Sequence, residues 1–222
     1  FNKCILISIM KLAHLNHKKT TEPIWHVQLV ILAAIILELM LPNSFSLNFK
    51  YLVAGLELLL LIVLSVVSPR IKGNILVLKR SLAIGLLVII TFANVTSLLL
   101  VIESLFMEAQ LGGRQLLFAA LSIYLTNIIV FGLWYWEMDN RFCDGVIKDY
   151  DFLFPQDNND QLAWWSPSLL DYVYISITNA TAFSPTDALP LTKRAKMLMS
   201  LQSLVSLLTV ALILARAVNI LV

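Results

Sequence analysis

Five apolar stretches, each closed or preceded by helix-breaking residues, decide what this chain can fold into. They run Trp25 to Leu41, Tyr51 to Val67, Ser81 to Phe106, Gln115 to Trp136 and Ala195 to Val222. A helix needs about 20 mostly apolar residues to cross the roughly 30 Å hydrocarbon core of a bilayer, and each stretch approaches or exceeds that length. Pro42-Asn43-Ser44, Ser68-Pro69 and Gly112-Gly113 punctuate them; such residues end helices by removing a backbone donor or loosening the backbone. Of 222 residues, 59% are hydrophobic and 14% charged, far from the about 45–50% apolar and roughly 25% charged of soluble domains. A soluble enzyme and a disordered tail are excluded. A nucleic-acid-binding domain is excluded too, because the net charge is only +2 and no basic face stands out. Two cysteines, Cys4 and Cys143, make no disulfide framework. The expected fold class is an all-α integral membrane protein, in contact with the lipid bilayer along its spans.

Charge sets the expected orientation. Residues 1–24 carry Lys3, Lys11, His14, His17, Lys18 and Lys19 and are too charged to span; their run Ile5 to Met10 reads as an interfacial anchor. No small-residue cleavage site follows a long apolar core, so a signal peptide is not expected. With five spans, all but three of the 16 Lys and Arg fall on the face that holds the N-terminus, the loops 68–80 and 137–167 and the segment leading to Lys193, Arg194 and Lys196; Lys50, Arg114 and Arg216 fall on the other. Lys and Arg in short loops mark the cytoplasmic side. The N-terminus is therefore predicted cytoplasmic and the C-terminus non-cytoplasmic.

Between the fourth and fifth spans, Ser168 to Asp187 begins apolar, becomes dense in hydroxyls and amides, and is stopped by Pro185. About 15 residues of helix are too few to span, so a re-entrant half-helix followed by extended backbone is expected, with an interfacial helix and loop as the alternative. The order of span, short helix from Asp171, hydroxyl-rich loop, Asp187 and span resembles the two-helix pore module of the potassium-channel superfamily. Ala182-Phe183-Ser184-Pro185-Thr186-Asp187 stand where such channels carry Thr-Val-Gly-Tyr-Gly-Asp, and Leu189 to Thr192 resemble the lead into the inner helix. This resemblance runs from Gln115 to the last residue. The whole chain also resembles a group of uncharacterised bacterial integral membrane proteins sharing the stretch Thr178 to Asp187, which implies a bacterial inner membrane or a related energy-coupling membrane.

The resemblance implies an oligomer, tetrameric if the scaffold keeps its symmetry. Thr178, Asn179, Thr181, Ala182, Phe183, Ser184, Pro185, Thr186 and Asp187 would then lie at a central axis. A selective potassium filter is not expected. Inward-aimed carbonyls need glycines that accept positive φ, whereas Ser184 and Thr186 occupy those places and Pro185 fixes its own φ. The side-chain oxygens of Thr178, Asn179, Thr181, Ser184 and Thr186 would line a less selective pore or bond one another in a plugged one. The charge pattern also turns this loop to the cytoplasm, opposite to a potassium channel.

Polar groups within the spans come next. Glu38, Glu57 and Glu103 fall near the same face as Arg216; an ion pair from Arg216 to one of them is the first expectation, snorkelling to the interface the second and a proton or ion pathway the third. Asn94 and Asn127 are expected to share an interhelical amide bond. Ser200, Gln202, Ser203, Ser206 and Thr209 form a stripe on the last helix, expected to pack closely against a neighbour. Trp134-Tyr135-Trp136 and Trp164-Trp165 read as an aromatic belt. The loop between them is acidic but does not match calcium-loop spacing; Asp151-Phe-Leu-Phe-Pro155 is expected to fold it back with aromatics buried and acids wet. His14, His17 and His26 have no partner ligands at metal spacing, and no phosphate loop, HExxH or GxSxG is present. No enzyme activity, metal or cofactor is predicted, although a pigment or haem on a single His or Asn would leave no spacing signature.

The domain reading is an N-terminal cytoplasmic or interfacial segment (1–24), a three-helix membrane region (25–106) and a pore-loop-like module (115–222). Two functions follow. One is a channel-like multi-pass protein with a degenerate filter, working as a homo-oligomer. The other is a non-conducting accessory or structural subunit of a larger membrane complex.

Overall fold

The computed structural model describes residues 24–42, 50–66, 74–106, 113–139, 150–159, 165–182 and 188–221. Helices stand at all five apolar stretches: α1 (Ile24–Met40), α2 (Lys50–Val66), α3 (Asn74–Phe106), α4 (Gly113–Met138) and α6 (Lys193–Leu221). The short α5 (Leu169–Ala182) lies between the last two. Segments within α3, α4 and α6 are long and apolar enough to cross a bilayer: Ser81–Ser104, Arg114–Met138 and Lys193–Ala215. This is a helical membrane protein. At 1.5 Å per residue, α1 and α2 each reach about 26 Å, a little short of the hydrocarbon core.

Helix α4 is the centre of the bundle and packs against α1, α3, α5 and α6. Its apolar window is 61% buried, against 28% for that of α6. The chain order explains this: α1 pairs with α2 and α2 with α3, while α5 and α6 close over the remaining sides of α4. Ile31, Ile35, Leu86, Ile90, Val130 and Leu133 fill the junction of α1, α3 and α4. A second cluster joins Leu98 and Val101 to Leu116, Ala119 and Ile123, with Leu41 and Val205 at its edges. Small side chains allow close approach where dispersion and packing must hold helices together without a hydrophobic driving force. Gly132 shows it best, since a Cβ there would lie 3.1 Å from the Cα of Val173 on α5. The apolar side chains left exposed on α1, α2, α3 and α6, such as Ile62, Phe92, Leu204 and Leu214, are those a lipid environment would cover.

One element departs from an all-helical fold. Phe152–Leu153 (β1) pairs antiparallel with Leu189–Pro190 (β2), with Phe152 opposite Pro190. This two-residue ladder ties the segment after α4 to the start of α6. The expected fold-back of Asp151 to Pro155 is seen here, with Phe152 and Phe154 buried among Tyr135, Tyr172 and Met199. Its acids, however, are not all wet: Asp139 and Asp151 are buried, Asp139 accepting from the Asp151 N–H and the Tyr172 hydroxyl and Asp151 from the Thr192 hydroxyl.

Candidate functional site: a polar core between α4, α5 and α6

The start of α5 is fixed locally. The Ser168 backbone N–H and hydroxyl both donate to Asp171 Oδ2 at 2.7 Å, and the Asp171 N–H donates to the Ser168 carbonyl at 3.1 Å. This is one half of a capping box: the acid three residues on accepts the Ser168 N–H, while the Asp171 N–H goes to the Ser168 carbonyl and not to its hydroxyl. The start of α6 is capped by Thr192, whose Oγ1 accepts the Ala195 N–H at 3.2 Å while its hydroxyl donates to Asp151 Oδ1. Asp139 completes the frame, accepting the Asp151 N–H at 3.0 Å and the Tyr172 hydroxyl at 2.7 Å. A run of tilted and edge-on ring contacts, with centroids 5.2–6.3 Å apart, links Phe131, Tyr135, Phe152, Tyr172, Phe154 and Trp165 behind it.

Within that frame, four polar residues meet in the middle of the bundle. The Asn179 amide donates to Gln202 Oε1 at 2.8 Å, to the Met199 carbonyl at 3.0 Å and to Tyr135 Oη at 3.3 Å. The Tyr135 hydroxyl itself donates to Gln202 Oε1. Gln202 Nε2 donates to Ser176 Oγ at 2.7 Å and to the Ser176 carbonyl at 3.0 Å, and Ser176 Oγ donates to the Ile128 carbonyl at 2.6 Å. At the rim, the Ser203 hydroxyl donates to Asn179 Oδ1 at 3.2 Å. Tyr135, Ser176, Asn179 and Gln202 are all buried. Burying an amide without partners costs several kcal/mol on the scale of about 2–7 kcal/mol for transfer to apolar surroundings, so this mutual pairing is what permits them here. Chemically the cluster is a set of donors and acceptors already spent on one another.

The sequence-predicted site residues divide accordingly. Asn179 and Gln202 are brought together at the centre. Thr178 and Thr181 return their hydroxyls to their own helix, on the carbonyls of Ile175 and Ile177 at 3.0 and 2.8 Å, and Thr181 and Ala182 are exposed. Phe183, Ser184, Pro185, Thr186 and Asp187 lie outside the described residues, as does the Arg216 side chain. Asn94 and Asn127 are both buried but do not bond each other: Asn127 Nδ2 donates to Ser206 on α6 at 2.9 Å, because that side of α4 faces α6. In the last-helix stripe, Gln202, Ser206 and Thr209 are buried, whereas Ser200 is exposed and bonds the Lys196 carbonyl at 2.8 Å. Tyr135 is not part of an aromatic belt; it is wholly buried, while its neighbour Trp134 donates to Thr91 Oγ1 at 2.9 Å.

Away from this core, Glu57 on α2 is wholly buried beside Glu38 on α1, which is 6% exposed. The two carboxyls lie close enough to interact. Neither Glu57 oxygen has a hydrogen-bond partner in good geometry among the described residues. Glu103 is exposed. Among the described residues no group of three His, Cys, Asp or Glu converges as a metal site.

Sequence reasoning missed Tyr135, Tyr172, Ser176, Asp139 and Thr192 as members of the polar frame. Ser168-x-x-Asp171 was the available signal for the helix start. Comparison with known proteins adds no relative: no family model, curated protein or solved structure matches the chain.

Proposed function

We propose that the chain is a five-span membrane protein whose α4–α5–α6 module is a closed, pore-loop-like scaffold serving as a non-conducting accessory subunit of a larger membrane complex. The observation that carries this reading is the self-satisfaction of the polar core. A conducting path needs oxygens free to replace an ion's hydration shell, whereas Asn179, Ser176 and Gln202 bond each other and Tyr135 within a single chain. On this reading α5 is re-entrant: its 14 residues reach about 21 Å, too little to span. It is tolerated at depth because α4 and α6 surround its polar face.

A second reading keeps the channel-like oligomer, and one feature favours it. Leu170, Tyr174, Ile177 and Thr181 form an exposed stripe on α5, opposite the buried polar face, where a second copy would meet the first. The two readings separate on the mass of the protein extracted in mild detergent, by light scattering corrected for bound detergent. Accessory function gives one 25.0 kDa copy alone or bound within a larger complex. A homotetramer whose ion flux in liposomes responds to substitution of Thr181 or Ser184 would overturn it in favour of the channel.

A further inference from the structure

Glu57 presents a physical difficulty that the polar core does not. An isolated ionised carboxylate in apolar surroundings is so costly that such groups neutralise or find a partner. Yet Glu57 is 0% exposed, and both its oxygens lack a hydrogen-bond partner among the described residues. The group facing it is a second carboxyl, Glu38, which adds like-charge repulsion if both ionise. The surroundings offer little relief: Leu41, just past Glu38, packs into the apolar cluster of Leu98, Val101, Leu116 and Ala119. Helix α1 has no basic residue in its last turn. Two carboxyls meet where α1 packs on α2, and among the described residues neither oxygen of Glu57 is spent on a hydrogen bond, so a bound cation would offset the charge of the pair.

We propose that Glu38 and Glu57 form a binding site between α1 and α2 for one exchangeable monovalent cation, a proton or in its place a sodium ion. The site lies outside the α4–α5–α6 module, so its existence does not depend on whether that module conducts. With a proton bound, one carboxyl donates to the other and the pair carries a single negative charge. With sodium bound, carboxylate oxygens from both helices ligate the ion. Either way the cation clips α2 to α1, and its exchange is a step that a partner or a membrane gradient can act upon.

The test uses the full chain in detergent, in sodium-free buffer and again with added sodium. The infrared spectrum of the sodium-free protein should contain the carbonyl stretch of a protonated carboxyl in an apolar setting, shifted by deuterium exchange and lost in Glu57→Gln. Dicyclohexylcarbodiimide, an apolar reagent that modifies protonated carboxyls, should mark the peptide containing Glu57 or that containing Glu38, as read by mass spectrometry. Modification slowed by sodium identifies sodium as a competing occupant; modification indifferent to sodium identifies the proton alone. Absence of the protonated-carboxyl band in the wild-type protein under both conditions overturns the site if the carbodiimide also leaves both peptides unmodified. So does a band that persists unchanged in both Glu57→Gln and Glu38→Gln. The carbodiimide mapping on the wild-type protein assigns the carboxyl even if a variant fails to fold.

Discussion

Gln202 is the residue on which the polar core turns. Its carbonyl oxygen accepts from Asn179 and Tyr135, and its amide donates twice to Ser176, so three elements are joined through one side chain. Removing one member strands the others, and an orphaned buried donor or acceptor costs about 1–3 kcal/mol. Asn179→Leu and Gln202→Leu are therefore expected to destabilise the protein by amounts in that range, measured by denaturation in mixed detergent micelles. Thr181→Val, on the exposed side of the same helix, should cost almost nothing, since Thr181 bonds only its own turn. Equal losses at positions 179 and 181 would mean that α5 is held by its apolar contacts and that the polar core is incidental. Asp139 acts at the same scale: Asp139→Leu removes the acceptor of both the Tyr172 hydroxyl and the Asp151 N–H, and is expected to loosen the ladder that Asp139→Asn would partly keep.

At the scale of elements, α5 is placed by its start and by one close approach. Asp171→Ala removes the acceptor of the Ser168 N–H and hydroxyl and should cost about 1 kcal/mol, seen as faster hydrogen exchange at the first turn of α5. Gly132→Ala puts a methyl group 3.1 Å from the Val173 backbone. Backbone gives way poorly, so α5 must shift from α4 at a cost of about 1–3 kcal/mol, detectable as a lower melting temperature that Val173→Ala restores only in part. These elements also show what could be read in advance. The helices at 24–40, 50–66, 113–138 and 193–221 follow from runs of apolar residues and their breakers, because length and hydropathy are local properties. α3 begins earlier than the apolar run at Ser81, at Asn74, because Lys79 and Arg80 are good helix formers that extend the helix beyond the apolar run. The partners of Asn127, Tyr135 and Asp139 were not legible. Each depends on which face of α4 turns toward α6 or α5, and a helix that is apolar on every side carries no periodicity to announce its faces. Asn179 and Gln202 were legible as polar positions inside apolar helices, though not as partners of each other.

For the whole molecule, the number of crossings fixes which side each loop occupies, and it can be measured directly. Five spans place the 43–49 segment on the side opposite the loop containing Cys143; a hairpin of α1 and α2 lying in the interface would leave both on one side. With Cys4 and Cys143 replaced and a single cysteine introduced at Asn43 or at Asn140, a membrane-impermeant maleimide should label one position from outside intact cells and the other only after lysis. Labelling both from the same side would reduce the protein to three crossings. The central place of α4 has a further consequence, for biogenesis. Asn127 and Tyr135 find their partners 79 and 67 residues later in the chain, on α6. At about 5–20 residues per second of synthesis, α4 waits on the order of seconds after leaving the ribosome with its polar side unmatched. During that interval the half-made protein presents an amide and a phenol that lipid cannot satisfy. The nascent helix should therefore linger beside the insertion machinery, or be held by a membrane chaperone, until its last helix arrives; chains truncated before residue 193 are expected to be degraded as unassembled.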